Sequence, residues 1–147
     1  MKYGFYGSET ATSKHVAPEW KAIESPRVLY ELLRGIWRIE TCAPRLRGEW
    51  SKENAMVGQC SVTSFLAQDI FGGNVRGILR PGGNFHCYND VAGSVFDLTS
   101  EQFTGEVLRY SEDDPVQERA AHFAKEEKRL RYEMLRRLLR QKIGLEM

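Results

Sequence analysis

Long apolar runs are missing from this chain. None approaches the ~20 consecutive apolar residues that a bilayer requires, and no signal peptide opens the sequence, so the expectation is a cytoplasmic protein without membrane contact. An excess of one charge is missing too. Lys and Arg number 21 against 20 Asp and Glu, a net charge of +1, which makes no global case for nucleic acid or a membrane surface. Cysteine is scarce: Cys42, Cys60 and Cys87 are odd in number and lack C-x-x-C spacing, which argues against a zinc site and for reduced thiols. Internal repeats are absent as well. What is present is 147 residues, 41% hydrophobic and 28% charged, enough for one domain with a substantial core.

The strongest local signal runs from Gly58 to Gly73. Val62, Phe65, Leu66 and Ile70 recur at helical spacing, Gly58 permits an abrupt entry, and Gly72-Gly73 stops the helix. Cys60 then falls in the first turn, where unpaired backbone N–H groups and the helix dipole favour a thiolate. A buried cysteine is more often a small core residue, so Cys60 needs support from elsewhere in the chain.

Upstream, residues 1–24 form an irregular arm with scattered aromatics, Tyr3, Phe5, Tyr6 and Trp20. Ser25-Pro26 caps a helix whose apolar face (Val28, Leu29, Leu32, Leu33, Ile36, Trp37) extends to about Glu40. Residues 45–57 read as polar and irregular. Downstream the period shortens to about two. Asn74–Arg80, Asn84–Asn89 and Ser94–Leu98 read as strands, with Asp90–Gly93 as a four-residue hairpin loop. A capping box at Thr99–Gln102 starts a short helical turn that Gly105 ends, and Glu106–Tyr110 reads as a fourth strand. Beyond the acidic break at 111–115, Val116 to Ile143 reads as one helix about 40 Å long. Its seam is Val116, Ala120, Phe123, Leu130, Met134 and Leu138, widened by Leu135, Leu139 and Ile143. The class is α+β: helices before and after a small antiparallel sheet, with 25–110 as the core and 111–147 as a basic C-terminal helix.

The hairpin carries a geometric expectation. If Asn89 pairs with Ser94, then Tyr88 faces Val95, Cys87 faces Phe96 and His86 faces Asp97, on one face and about 5 Å apart at Cβ. A thiol, an imidazole and a carboxylate brought together supply a nucleophile, a proton carrier and a group that orients it. The Cys60 backbone N–H, with Gln59 as a neighbouring donor, is the candidate oxyanion hole.

These residues also resemble a known family. Trp50-Ser51-x-Glu53-Asn54, Gly58-Gln59-Cys60-x-Val62-Thr63, Gln68-Asp69-x-Phe71-Gly72-Gly73, His86-x-x-Asn89 and Asp97-Leu98-Thr99-x-x-Gln102-Phe103 follow the pattern of the YunG-like family, small and largely uncharacterised bacterial proteins. Trp37-x-x-Glu40-Thr41-Cys42 extends the likeness, which spans roughly residues 26 to 104. The resemblance implies a papain-like or transglutaminase-like core in which Cys60 is nucleophile, His86 base and Asp97 orienter. One position departs from the expected pattern: Cys87 follows the histidine where a large aromatic is expected.

The expected function is that of a papain-like cysteine hydrolase or acyltransferase acting on an amide, ester or isopeptide bond of a protein or small molecule. No cofactor is expected. A metal at Cys60, His86 and Cys87 is disfavoured because adjacent strand residues point to opposite faces. Bland readings stand beside these. His86 can satisfy a backbone carbonyl, Asp97 can serve the short helix that follows it, and Asn89, a candidate fourth member of the site, can be a turn residue. Trp50 and Asn54 are cleft candidates, although a core tryptophan and a solvated asparagine are the commoner roles. The alternative function is a binding module on the same fold, contacting a protein or nucleic acid through its cleft or its basic helix. That helix carries Lys125, Lys128, Arg129, Arg131, Arg136, Arg137, Arg140 and Lys142, but no base-reading motif accompanies it. Its apolar seam suits a homodimer at least as well.

Overall fold

The computed structural model describes residues 4–11, 16–103 and 106–145. Tyr3, part of the predicted arm, and Gly105, the predicted helix stop, lie outside the described residues. The architecture is α+β, with helices packed around a three-stranded antiparallel sheet.

Helix α1 (Pro26–Arg34) begins as its sequence dictates: the Ser25 hydroxyl accepts the Val28 N–H and Pro26 occupies the first position. It ends at Gly35, short of Glu40. Ile36 and Trp37 are buried in the turn that follows, so the apolar period there reported burial and not helix. Helix α2 (Cys60–Phe71) is the centre of the molecule. Val62, Phe65, Leu66 and Ile70 are fully buried, and Gly72 closes the helix at φ +78°. Trp37 Nε1 donates to Thr63 Oγ1 at 2.9 Å, tying α1's exit to α2.

The sheet, in order β1-β2-β3, lies against α2: β1 (Asn74–Leu79), β2 (Phe85–Val91) and β3 (Ser94–Phe96). Its hairpin corrects the expected register. The turn is the two residues Ala92-Gly93, both at positive φ (+51° and +87°), and Asn89 pairs with Phe96, not Ser94. Two positive-φ residues match the twist of paired strands, so β2 continues through Asp90 and Val91. The Asp90 carboxylate accepts the Gly93 N–H at 3.1 Å and braces the turn. The slip is two residues, which leaves every side chain on its expected face.

Residues 106–110 form no strand. The outer edge of β1 is covered by 115–117 instead: Gly77 N–H donates to the Pro115 carbonyl at 3.0 Å and Gln117 N–H to the Val75 carbonyl at 2.7 Å. The predicted C-terminal helix is broken. Val116 lies in that edge contact, α3 spans Arg119–Phe123, and Lys125 is extended before α4 (Glu126–Lys142). The buried stripe of α4 is Arg131, Tyr132, Leu135 and Leu139, whereas Leu130 of the expected seam is 50% exposed. Each fully buried leucine contributes about 2 kcal/mol of transfer free energy. This apolar face is therefore used within the chain.

Polar groups fix the docking of α4. Arg119 donates to Asp69 Oδ1 at 2.7 Å and to the Phe65 carbonyl at 3.0 Å, and the Tyr132 hydroxyl bonds Asp69 Oδ2. The Arg119 guanidinium also lies over the Phe65, Phe123 and Tyr132 rings. Phe5, Trp20 and Ile23 of the N-terminal arm join Tyr132, Leu135 and Leu139 in one hydrophobic cluster with α2. Among the described residues no helix is long and apolar enough to cross a membrane.

Candidate active site

Gly58 sets the start of α2. Its φ is +72°, and a Cβ there would lie 2.5 Å from Cys42 Sγ and 2.9 Å from the Ala43 nitrogen. Its carbonyl accepts the Ala43 N–H at 2.9 Å, which locks the approach. Cys60 follows as the first helical residue. Thr63 N–H makes the first i→i−4 bond, to the Gln59 carbonyl, so the amides of Cys60, Ser61 and Val62 precede the helix ladder. Cys60 is partly exposed and lines a cleft of about 850 Å³, together with Gly58, Ser61, Phe85, His86 and Phe103.

His86 and Asp97 meet inside the protein, both essentially buried, with Nε2 and Oδ2 2.6 Å apart. Asp97 lies just past β3, diagonal to His86 because of the two-residue slip. The N-terminal arm pins it there: Asp97 N–H donates to the Tyr6 carbonyl at 3.0 Å. Its carboxylate also accepts the Tyr110 hydroxyl at 2.6 Å, the Thr99 N–H at 3.2 Å and the Thr99 hydroxyl at 3.3 Å. Tyr110 stacks on Tyr6 at 3.9 Å between centroids, while the Phe103 ring meets the imidazole edge at 4.8 Å. With Nε2 committed to Asp97, Nδ1 is left for the thiol.

β3 is short, and this opens room for Cys60. It pairs with β2 only from Asn89 to Val91, so the Phe85–Cys87 backbone has no strand on that side. The Cys60 sulfur sits against this free edge, 4.0 Å from the Phe85 carbonyl oxygen. From the edge it is influenced by the side chains of both His86 and Cys87, which lie on opposite faces of β2. The neighbouring Cys87 thiol is the largest influence holding the Cys60 thiol well below its ordinary value. Burial opposes it, and His86 and the Cys87 N–H add to it. Cys87 is held well above its ordinary value by the adjacent Cys60 thiol and by burial. For His86, burial disfavours the charged ring, but Asp97 and the Cys60 thiolate outweigh it and push the imidazole up to about 10. Both directions favour a thiolate beside an imidazolium.

The other candidates stand outside this cleft. Gln59 is fully buried and its side-chain amide donates to the Arg38 carbonyl at 3.0 Å. Asn89 faces α2 and donates to the Ser64 carbonyl at 2.9 Å. Trp50 Nε1 donates to the Ala55 carbonyl at 2.9 Å, and Asn54 Nδ2 contacts the Gln102 carbonyl at 3.5 Å, supporting the loop that carries Phe103. Among the described residues, no group of three or more His, Cys, Asp and Glu could hold a metal ion.

Sequence reasoning gave Tyr110 and His122 no place in the site, weighed Cys87 only as a metal ligand and a departure from pattern, and read Lys128 only as part of the basic helix. His122 and Lys128 line the far wall of the cleft from α3 and α4. The departure at Cys87 was itself a signal, since a thiol stands where an aromatic is expected; Tyr110 and Lys128 carried none.

The family model described as YunG protein matches residues 25–144. The chain belongs to the YunG family. That match takes in both the α2–sheet core and the α3–α4 segment. A YunG-family relative from Bacillus subtilis (strain 168), named "Uncharacterized protein YunG", is 44% identical over 55 residues. The aligned part covers 37% of this chain and 47% of the relative, so the chain spans about half the length of the curated relative it matches. No solved structure matches this YunG-family chain.

Proposed function

We propose that this protein is a cysteine hydrolase or acyltransferase of papain-like design, acting on an amide, ester or isopeptide bond. The observation that carries the reading is the buried 2.6 Å His86–Asp97 pair beside a first-turn cysteine in an open cleft. In the reaction the Cys60 thiolate attacks the carbonyl carbon, the C–S bond forms, and the carbonyl electrons move to oxygen. The Cys60 backbone N–H, with the other first-turn amides, supplies donors for that oxyanion. His86 then gives its Nδ1 proton to the departing nitrogen or oxygen as the acyl bond breaks. Water or an amine or hydroxyl acceptor next attacks the thioester, His86 takes its proton, and the thiolate leaves. Asp97 holds the ring orientation throughout.

Gln59 contributes to this site by packing, because its side chain bonds Arg38 and not the cleft. The test is acylation by p-nitrophenyl acetate. The expected result is a stoichiometric burst of nitrophenolate with the acetyl group on Cys60, lost in Cys60→Ala and slowed at least about 100-fold in His86→Ala. Acetylation spread evenly over Cys42, Cys60 and Cys87, or confined to the other two, would overturn it.

A further inference from the structure

We infer that the cleft selects an acyl substrate carrying a carboxylate beside the scissile bond, and that Lys128 is the residue that selects it. This rests on Cys60 being the nucleophile. Lys128 projects from α4 into the same cleft as Cys60 and His86 and is half-buried. Its ammonium lies 2.9 Å from His122 Nδ1, and His122 Nε2 lies 2.9 Å from Gln117 Oε1.

The direction of this chain is fixed from its far end. The Gln117 amide nitrogen donates to the Pro115 carbonyl at 3.3 Å, which leaves Oε1 to accept. His122 therefore carries its proton on Nε2, and its Nδ1 accepts from the ammonium. Burial and the neighbouring Lys128 charge keep this imidazole neutral, at about 4. Lys128 is thus the charged member of the chain, although burial lowers it, and among the described residues it has two N–H groups free beside the one engaged by His122.

The other cations at the cleft differ. Arg131 is paired with Glu127 and bonds the Thr41 carbonyl, and Arg80 is paired with Glu106. Lys125 and Arg45 are exposed, and so is Glu49 on the rim. Among the described residues no carboxylate pairs with Lys128. A half-buried ammonium whose direct hydrogen-bond partner is neutral, and whose nearest anion is the Cys60 thiolate across the cleft, is weakly compensated, and screening by solvent is weak there. Lys128 and Cys60 line the same cleft, so a substrate held at the thiol lies in the ammonium's field. A single carboxylate supplies the missing charge and accepts the two free N–H groups.

The test compares iodoacetate with iodoacetamide at Cys60. In both, the sulfur displaces iodide and forms an S–CH2 bond; the reagents differ in a carboxylate against a neutral amide. Any effect of Lys128 on the thiolate fraction is common to the two and cancels in the rate ratio. The iodoacetate-to-iodoacetamide ratio is expected to fall about tenfold in Lys128→Met and in Lys128→Gln, the latter keeping a donor for His122. Lys128→Arg retains most of the ratio, and Lys142→Met, at the exposed end of α4, leaves it within about twofold. If Cys60 reacts with both reagents and neither Lys128→Met nor Lys128→Gln moves the ratio, the carboxylate assignment is wrong and the nucleophile stands. If wild-type Cys60 resists both reagents, the nucleophile assignment fails and takes this one with it.

Discussion

Replacing Asp97 by Asn isolates what the buried carboxylate does. Asn keeps the shape and can still accept from Thr99, but it removes the charge 2.6 Å from His86 Nε2. Two opposite charges centred about 4 Å apart interact by about 4 kcal/mol at an effective dielectric of 20. At 1.36 kcal/mol per unit, that corresponds to about three pKa units. His86, held at about 10 in the wild type, falls to near 7 or below, since burial then acts unopposed by Asp97. Loss of the imidazolium weakens the Cys60 thiolate, so its alkylation starts at higher pH. The assay is two-fold: the imidazole titration by NMR, and the pH profile of Cys60 alkylation by iodoacetamide. An unchanged His86 midpoint together with an unchanged Cys60 profile would refute the role given to Asp97. Tyr110→Phe, which removes one hydrogen bond and no charge, should shift the midpoint by much less than Asp97→Asn.

Three further outcomes are expected. Gly58→Ala places a Cβ against Cys42 and Ala43 at a positive φ; it should cost about 2 kcal/mol or more, about 4–8 °C in Tm by calorimetry, and an unchanged Tm contradicts the packing described. Leu135→Ala should cost about 2–5 kcal/mol in urea unfolding, against about 0.5 kcal/mol or less for half-exposed Leu130→Ala; equal effects would mean that α4 is not docked through this stripe. His122, neutral when folded and depressed to about 4, contributes stability that is present above pH 6.5 and lost as pH falls through 4. Wild type should therefore lose stability between pH 6.5 and 4 more steeply than His122→Asn, and identical slopes would remove His122 from that account.

Much of the site is legible in the sequence because short-range rules govern it. Ser25-Pro26, Gly58 and Gly72 set the ends of α1 and α2, and the period over Val62–Ile70 identified the buried helix. The His86–Asp97 contact survives a wrong hairpin register because the error was two residues, and a period of two keeps the face. What escaped depends on tertiary contact. Ala92 at positive φ is uncommon, so the sequence suggested a longer loop. The break at Lys125 carries neither Gly nor Pro, so the helical period ran through it and hid the separate α3 that presents His122. Tyr110 reads as a strand residue but lies in a segment without regular structure, from which its hydroxyl reaches Asp97. Alternation placed Cys87 away from Cys60, and only the shortness of β3, which frees the β2 edge, brings the two thiols together.

The central claim is that His86 activates Cys60. The most direct measurement is the iodoacetamide alkylation rate of each cysteine from pH 4 to 9, in wild type and in His86→Ala, read by peptide mass spectrometry. The account predicts that Cys60 reacts fast below pH 7, that buried Cys42 and Cys87 do not, and that the mutant loses the low-pH reactivity. A Cys60 that is inert while Cys42 or Cys87 reacts, or one whose profile is unaltered in His86→Ala, would contradict it.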